Sequence, residues 1–192
     1  MLTVLKIFLT DSIKGFNMIT TNELRPRIYI ACLSSYVNGI HYGAWVDAAQ
    51  PVEDIQEQIK QLLAKSPMPD AEEIVVHAFE DFGSLSIGEY ESIEAIQEKA
   101  SFIVEQGELG AELLANYGGN LADAEEALND YYVGEHESEL DYSIHLFDEC
   151  YLHEIPENIQ YYVDYDKFCR DIFINDYFSI KVDGKYHIFI NH

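Results

Sequence analysis

Residues 28–33, Ile-Tyr-Ile-Ala-Cys-Leu, form an uninterrupted apolar run. A run of this length and composition is typical of a buried strand, so a sheet is predicted to begin here. The pair Asn38-Gly39 follows it and precedes a second strand-like segment, residues 41–48. Asn-Gly favours a two-residue hairpin turn, and two antiparallel strands are therefore expected at this end of the chain.

A helix and a third strand complete this unit. Residues 73–79, EIVVHAF, are rich in β-branched side chains and predict the strand. The helix is indicated by apolar side chains at helical spacing between Pro51 and Pro67: Val52, Ile55, Ile59, Leu62 and Leu63. Residues 27–90 are thus predicted to form an N-terminal ββαβ domain.

The pattern then becomes helical. Ser92 is a plausible N-cap, Gly107 is expected to break the first helix, and Gly118-Gly119-Asn120 to end the second. A third short helix is expected at 121–129, so residues 91–130 are predicted to be a central helical domain.

Residues 131–192 are predicted to form a C-terminal α+β domain. It should contain a short strand at 131–133, a helix from Leu140, helical pieces at 159–173, and a terminal hairpin turning at Asp183-Gly184. The fold class is therefore α+β in three parts. Residues 1–26 are expected to be an extension, or an arm ahead of an alternative start at Met18.

The charge balance is unusual in sign. The chain has 35 Asp and Glu against 11 Lys and Arg, a formal net charge of −24 at pH 7. Aromatic residues make up 13% of it, which argues against an acidic disordered chain and for a folded body. Such a field repels nucleic acid and membranes and attracts proteins with basic grooves. Three cysteines without CxxC spacing indicate a reducing, cytoplasmic location and are expected to be small core residues.

The acids are concentrated between residues 100 and 166, where 17 carboxylates occur without a lysine or arginine. Helical surfaces usually intersperse both signs, because opposite charges at i and i+4 stabilise a helix. The alternatives are a solvated face that aids solubility and a surface that imitates the phosphates of DNA. The 17 residues of this acid-rich stretch are Glu105, Glu108, Glu112, Asp123, Glu125, Glu126, Asp130, Glu135, Glu137, Glu139, Asp141, Asp148, Glu149, Glu154, Glu157, Asp164 and Asp166.

The sequence gives little support for an enzymatic activity. The sequence has no nucleophile elbow, phosphate-binding loop or dinucleotide fingerprint, and no cofactor or catalytic residue is predicted. One segment is rich in potential metal ligands, but its spacing fits neither HExxH nor paired Cys/His zinc patterns, so no metal is expected. His145 and Cys150 are expected to pack in the core or at its boundary. The segment contains His136, Glu137, His145, Cys150, His153 and Glu154.

Five motifs occur in order along the chain. They are RIYIACL at 27–33, GAWVD at 43–47, EIVVHAFE at 73–80, YVGE at 132–135 and PENIQYYVDYDKFCRDI at 156–172. Together, over about residues 27–190, they resemble the ArdA family of antirestriction proteins. Cys169 departs from the family's pattern, in which a small residue is common.

The resemblance implies an elongated α+β chain of three small domains, usually a head-to-head homodimer. It also implies a protein that mimics bent duplex DNA and occupies the DNA groove of Type I restriction-modification enzymes. Cofactor, nucleic-acid and membrane binding are not expected. Two other hypotheses stay open, an acidic adaptor for another basic protein and a metal-dependent hydrolase.

The last motif resembles the family's antirestriction motif, and its side chains are expected to pack a core or a dimer interface, with direct enzyme contact as the alternative. Arg170 is expected to pair with a carboxylate of its own or another chain, Asp164 or Asp171. The motif residues are Tyr161, Tyr162, Asp164, Tyr165, Phe168, Arg170 and Asp171.

Overall fold

The computed structural model describes residues 24–191, which contain seven α-helices and six β-strands. The strands form two three-stranded antiparallel sheets, so the α+β class predicted from the sequence is confirmed. Most of the predicted N-terminal extension, residues 1–23, lies outside the described residues.

The first sheet has the order β2-β1-β3. Helix α2 lies against one of its faces with Ile55 fully buried, because its apolar stripe meets Ile28, Ile30 and Val46 of the sheet. The three strands and α2 follow one another in the predicted order, with the short helix α1 inserted between β1 and β2. The elements are β1 (Arg27–Cys32), α1 (Leu33–Val37), β2 (Gly43–Asp47), α2 (Val52–Ala64) and β3 (Ile74–Glu80).

The connection between β1 and β2 differs from the expected two-residue turn. Asn38 instead caps the short helix α1, and its side-chain amide donates to the carbonyl of Ser34 at 2.8 Å. Gly39 follows with a φ of 76° and donates its backbone N–H to Tyr36. An Asn-Gly pair can end a helix as well as turn a hairpin, because both require glycine's left-handed conformation. The prediction of a tight hairpin turn was therefore wrong, although the two strands do pair antiparallel.

Gly43 allows the aromatic ring of Tyr29 to cross strand β2. A Cβ atom at this glycine would lie 2.5 Å from the carbonyl oxygen of Ile30 and 2.7 Å from the Tyr29 ring. The ring also contacts Trp45 edge-on, with 5.5 Å between centroids. The glycine and the tryptophan of the GAWVD motif thus both serve the packing of Tyr29.

The first central helix begins and is interrupted at the residues predicted from the sequence. The Ser92 hydroxyl accepts a hydrogen bond from the backbone N–H of Ala95 and caps α3 (Ile93–Asn116). Gly107 interrupts α3 with a φ of 66°, as expected. Helix α4 (Leu121–Glu126) continues into a π-helical turn, Ala127–Tyr131.

The C-terminal part contains the second sheet, in the order β4-β6-β5. Asp183 and Gly184 have φ values of 50° and 83°, which is the geometry that a type I′ turn requires. The terminal hairpin is therefore confirmed. The elements are β4 (Tyr132–His136), α5 (Glu139–Cys150), the 3₁₀ turn Leu152–Glu154, α6 (Glu157–Gln160), α7 (Tyr165–Asn175), β5 (Tyr177–Val182) and β6 (Lys185–Ile190).

One hydrophobic cluster draws on all three predicted parts of the chain. It includes Ile28 of β1, Ile103 of α3 and Phe189 of β6, each fully buried. A smaller cluster, with Tyr142 and Ile172, joins α5 and α7 to the second sheet. The division into three domains stays a prediction, and within residues 24–191 the three parts share the larger cluster.

We expect Gly43→Ala to lower the free energy of unfolding by about 1–3 kcal/mol, because the new methyl group displaces Ile30 or the Tyr29 ring. Urea denaturation followed by circular dichroism measures the change. Gly88→Ala is the matched control, since its Cβ would meet nothing nearer than 3.6 Å. Equal stability of the two variants would contradict the role assigned to Gly43.

Candidate functional site

The acid-rich stretch lies on the surface from α3 to the start of α7. None of its 17 carboxylate residues is buried, and 13 are exposed. They project from helices and from the turns and strand between them, so no single element carries the charge. The exposed members are Glu105, Glu108, Glu125, Glu126, Asp130, Glu135, Glu137, Asp148, Glu149, Glu154, Glu157, Asp164 and Asp166.

The four half-buried members are all held by hydrogen bonds inside the protein. Glu112 accepts from the backbone N–H of Ser84 at 3.0 Å, and Glu139 from the hydroxyl of Ser179 at 2.6 Å. Asp123 accepts from the side-chain amide of Asn120 at 2.6 Å, and Asp141 lies 3.3 Å from a ring nitrogen of His136. A carboxylate satisfied in this way stabilises its own surroundings.

Four of the exposed members also make a hydrogen bond or an ion pair within the protein. Asp148 accepts from the Tyr165 hydroxyl at 2.5 Å, and this hydrogen bond, followed by burial, raises the pKa of Tyr165. Glu137 forms an ion pair with Lys185, whose pKa is raised mainly by that contact. Asp164 caps α7 by accepting from the backbone N–H of Lys167 at 3.0 Å, and Glu126 accepts from the Tyr131 hydroxyl at 3.2 Å.

Nine carboxylates remain, which we call the free carboxylates. Each is exposed and makes no side-chain hydrogen bond or ion pair within the described part of the chain. Because no internal donor holds them, they are the members best placed to meet a cationic partner. They are Glu105, Glu108, Glu125, Asp130, Glu135, Glu149, Glu154, Glu157 and Asp166.

Two aromatic residues of the motif at 156–172 pack against helix α5. The ring of Phe168 lies 5.0 Å from that of Phe147, and the ring of Tyr165 lies 5.4 Å from it, both edge-on. Ile172, one turn further along α7, is buried on the same face. Tyr165 and Phe168 therefore hold α7 to α5.

The other two motif tyrosines point into solvent. Tyr161 is 91% and Tyr162 is 79% exposed, and their rings contact each other at 5.7 Å. Ile159, just before them, is 46% exposed. Together these side chains form an exposed patch of aromatic and aliphatic surface, and tyrosine is enriched in protein interfaces.

Arg170 is exposed on α7, and no carboxylate of residues 24–191 forms an ion pair with it. The expectation that it pairs with Asp164 of its own chain was wrong, because Asp164 caps the helix instead. Asp171 is exposed and does not pair with Arg170 either. Pairing of Arg170 with a second chain stays a prediction.

The sequence predicted the burial of the cysteines and of His145 less accurately than it predicted the secondary structure. Cys32 is buried as expected, whereas Cys150 is exposed and Cys169 is half-buried. His145 is exposed as well, so the expected core or boundary packing of His145 and Cys150 was wrong. The helical spacing that suggested an apolar face continues past the point where α5 leaves the core.

Two cavities, of about 220 and 500 Å³, both lie in the N-terminal unit. The first is lined by α2 and the sheet, and the second by α1 and the loop before β3. Neither lining contains a histidine or a cysteine, and neither involves the acid-rich stretch. None of the helices within residues 24–191 has the length and apolar character needed to cross a membrane.

Comparison with known proteins gives one family. The family model described as antirestriction protein (ArdA) matches residues 28–186, which include the first sheet except Arg27, strands β4 and β5 of the second, the whole acid-rich stretch and the motif at 156–172. No curated protein matched the chain.

We expect substitutions in the motif to form two groups according to how much they change the free energy of unfolding. Phe168→Ala should cost about 1–3 kcal/mol, because it removes a half-buried ring between α5 and α7. Tyr161→Ala and Tyr162→Ala should each change the free energy of unfolding by less than about 0.5 kcal/mol, since both rings are exposed. Urea titrations of the three variants measure this at a protein concentration too low for self-association. A loss at Tyr161 as large as at Phe168 would refute the division.

Proposed function

Since this chain belongs to the ArdA family of antirestriction proteins, we propose that it inhibits Type I restriction-modification enzymes by occupying their DNA-binding groove. Incoming DNA would then escape restriction. The observation that carries the proposal is the set of nine free carboxylates in a stretch without lysine or arginine. Family membership supports the antirestriction activity, and the surface supports mimicry as its means.

The amount of charge suits a DNA mimic. Duplex DNA carries about one charge per 1.7 Å of axis, so a net charge of −24 corresponds to roughly 40 Å of duplex. A carboxylate accepts the same bidentate hydrogen bonds from arginine that a phosphate does. Free carboxylates can therefore take the place of phosphates in a groove lined with arginine and lysine.

The hydrogen bonds made by the other carboxylates of the stretch support the same function. Glu139 joins the start of α5 to β5, Asp164 caps α7 and Glu112 holds the loop at Ser84, and these contacts keep the free carboxylates on a defined scaffold. A mimic needs such a scaffold, because ordering charges only on binding would cost conformational entropy. The protein's own field repels nucleic acid, so its partner is the enzyme.

We further propose that the protein is a homodimer in which Tyr161 and Tyr162 contact the second copy. Both are exposed, both lie in the motif at 156–172, and Arg170 nearby in sequence forms no ion pair with a carboxylate of residues 24–191. Tyrosine and arginine are the residues that interfaces favour. A dimer doubles the length of the acidic surface.

We expect the purified protein to displace duplex DNA from a Type I enzyme, with affinity falling about tenfold or more between about 50 and 200 mM salt. The physical reason is that both partners are highly charged and release counterions on association. Fluorescence anisotropy of labelled DNA measures displacement. Simultaneous binding of DNA and protein to the enzyme would exclude mimicry, and DNA-insensitive binding to a different basic protein would favour an adaptor.

Neutralising four free carboxylates should weaken inhibition gradually. Glu105→Gln, Glu108→Gln, Glu125→Gln and Asp130→Asn together should cost about 1–3 kcal/mol of binding, roughly tenfold to a hundredfold, because each exposed charge contributes a few tenths to about 1 kcal/mol. The matched control exchanges Glu and Asp at the same four positions and retains the charge. Equal weakening in both variants would show that side-chain shape, and not charge, is recognised.

The double variant Tyr161→Ala/Tyr162→Ala should sediment as a monomer at concentrations where the wild type is a dimer, because its exposed rings are lost from the interface. Tyr90→Ala is the matched control, since Tyr90 is 75% exposed outside the motif. Analytical ultracentrifugation measures both. A double variant that stays dimeric but no longer inhibits would assign these tyrosines to direct enzyme contact.

A further inference from the structure

Three potential metal ligands that are separated in sequence meet where strand β4 leads into helix α5. They are His136, the last residue of β4, together with Asp141 and His145, one turn apart on α5. One ligand atom from each lies within 4.8 Å of the other two. His136 and Asp141 are half-buried and His145 is exposed, so the group is open to solvent on one side.

The ring of His136 is held in one orientation. Its Nδ1 lies 3.3 Å from the Asp141 carboxylate, while its Nε2 lies on the side of Gly134. The ring of Tyr142 contacts it edge-on at 5.1 Å, and that of His145 at 5.9 Å. Nδ1 is therefore the nitrogen that faces the carboxylate.

We propose that His136, Asp141 and His145 bind a divalent transition-metal ion, with Zn²⁺ as the reference ion. Two imidazoles and one carboxylate are a ligand set that such ions favour over Mg²⁺ or Ca²⁺. Two ligands of a tetrahedral zinc ion lie roughly 3.3 Å apart. His136 and Asp141 already have this spacing, and rotation of the exposed His145 side chain brings in the third ligand.

The surroundings favour a cation. Glu135, Glu137 and Glu139 flank the group in sequence. Lys185 forms an ion pair with Glu137. A bound ion would neutralise part of this charge and join β4 directly to the first two turns of α5. Its expected effect is therefore a more stable C-terminal unit, with the remaining coordination positions filled by water.

Isothermal titration of the full chain with Zn²⁺ tests the proposal, using His145→Ala as the ligand variant and His153→Ala as the control. His145 and His153 are both exposed, so neither change should disturb folding, which circular dichroism checks. We expect one saturable site per chain that is at least about 100-fold weaker in His145→Ala and unchanged in His153→Ala, because even second-shell changes cost 10–100-fold.

Two further readouts separate a formed site from diffuse attraction to the acidic surface. Zn²⁺ should raise the midpoint of thermal unfolding of the wild type and of His153→Ala but not of His145→Ala. Co²⁺ should give visible absorption bands of a low-coordinate ion that the His145→Ala variant lacks. Absence of saturable binding, or equal weakening in the two histidine variants, would overturn the proposal. The metal titration does not depend on DNA displacement, so the metal site and the antirestriction activity can each fail separately.

Discussion

The hydrophobic cluster that joins β1, α3 and β6 has to hold together a chain whose surface charges repel one another. With a net charge of −24, every compact arrangement brings carboxylates closer than they are in the unfolded chain. Aliphatic and aromatic packing offsets that repulsion, which explains why a protein so acidic is also rich in tyrosine and phenylalanine. The surface can carry its charge because Ile28, Ile103 and Phe189 are fully removed from water.

The carboxylates themselves have two functions in the same stretch. Those that accept hydrogen bonds from backbone or side-chain donors cap helices and join loops, as Asp164 does at α7 and Glu112 does at Ser84. The free carboxylates have no such donor and lie in solvent. A protein that presents charge to a partner needs both kinds, because the first gives the second a fixed position.

The motif at residues 156–172 is divided in the same way. Tyr165 and Phe168 pack on Phe147 and fix α7, whereas Tyr161 and Tyr162 extend into solvent immediately before it. The segment thus joins two exposed tyrosine rings to a rigid support within a dozen residues. It lies at the end of the acid-rich stretch, which places the proposed dimer contact beside the proposed mimic surface along the chain.

The sequence by itself determined the α+β class, the order of the strands and the longer helices, the breaks at Gly107 and Asp183-Gly184, and the sign of the charge, because each of these depends on residues close together in the chain. Only the tertiary structure decided which carboxylates are free, since Glu112 meets Ser84 across 28 residues and Glu139 meets Ser179 across 40. It also decided that Asn38-Gly39 ends a helix, that Cys150 is exposed and that His136 faces His145. Such contacts depend on how elements pack, and hydrophobic packing is non-directional, so a one-dimensional pattern predicts that a face is buried but not what it is buried against.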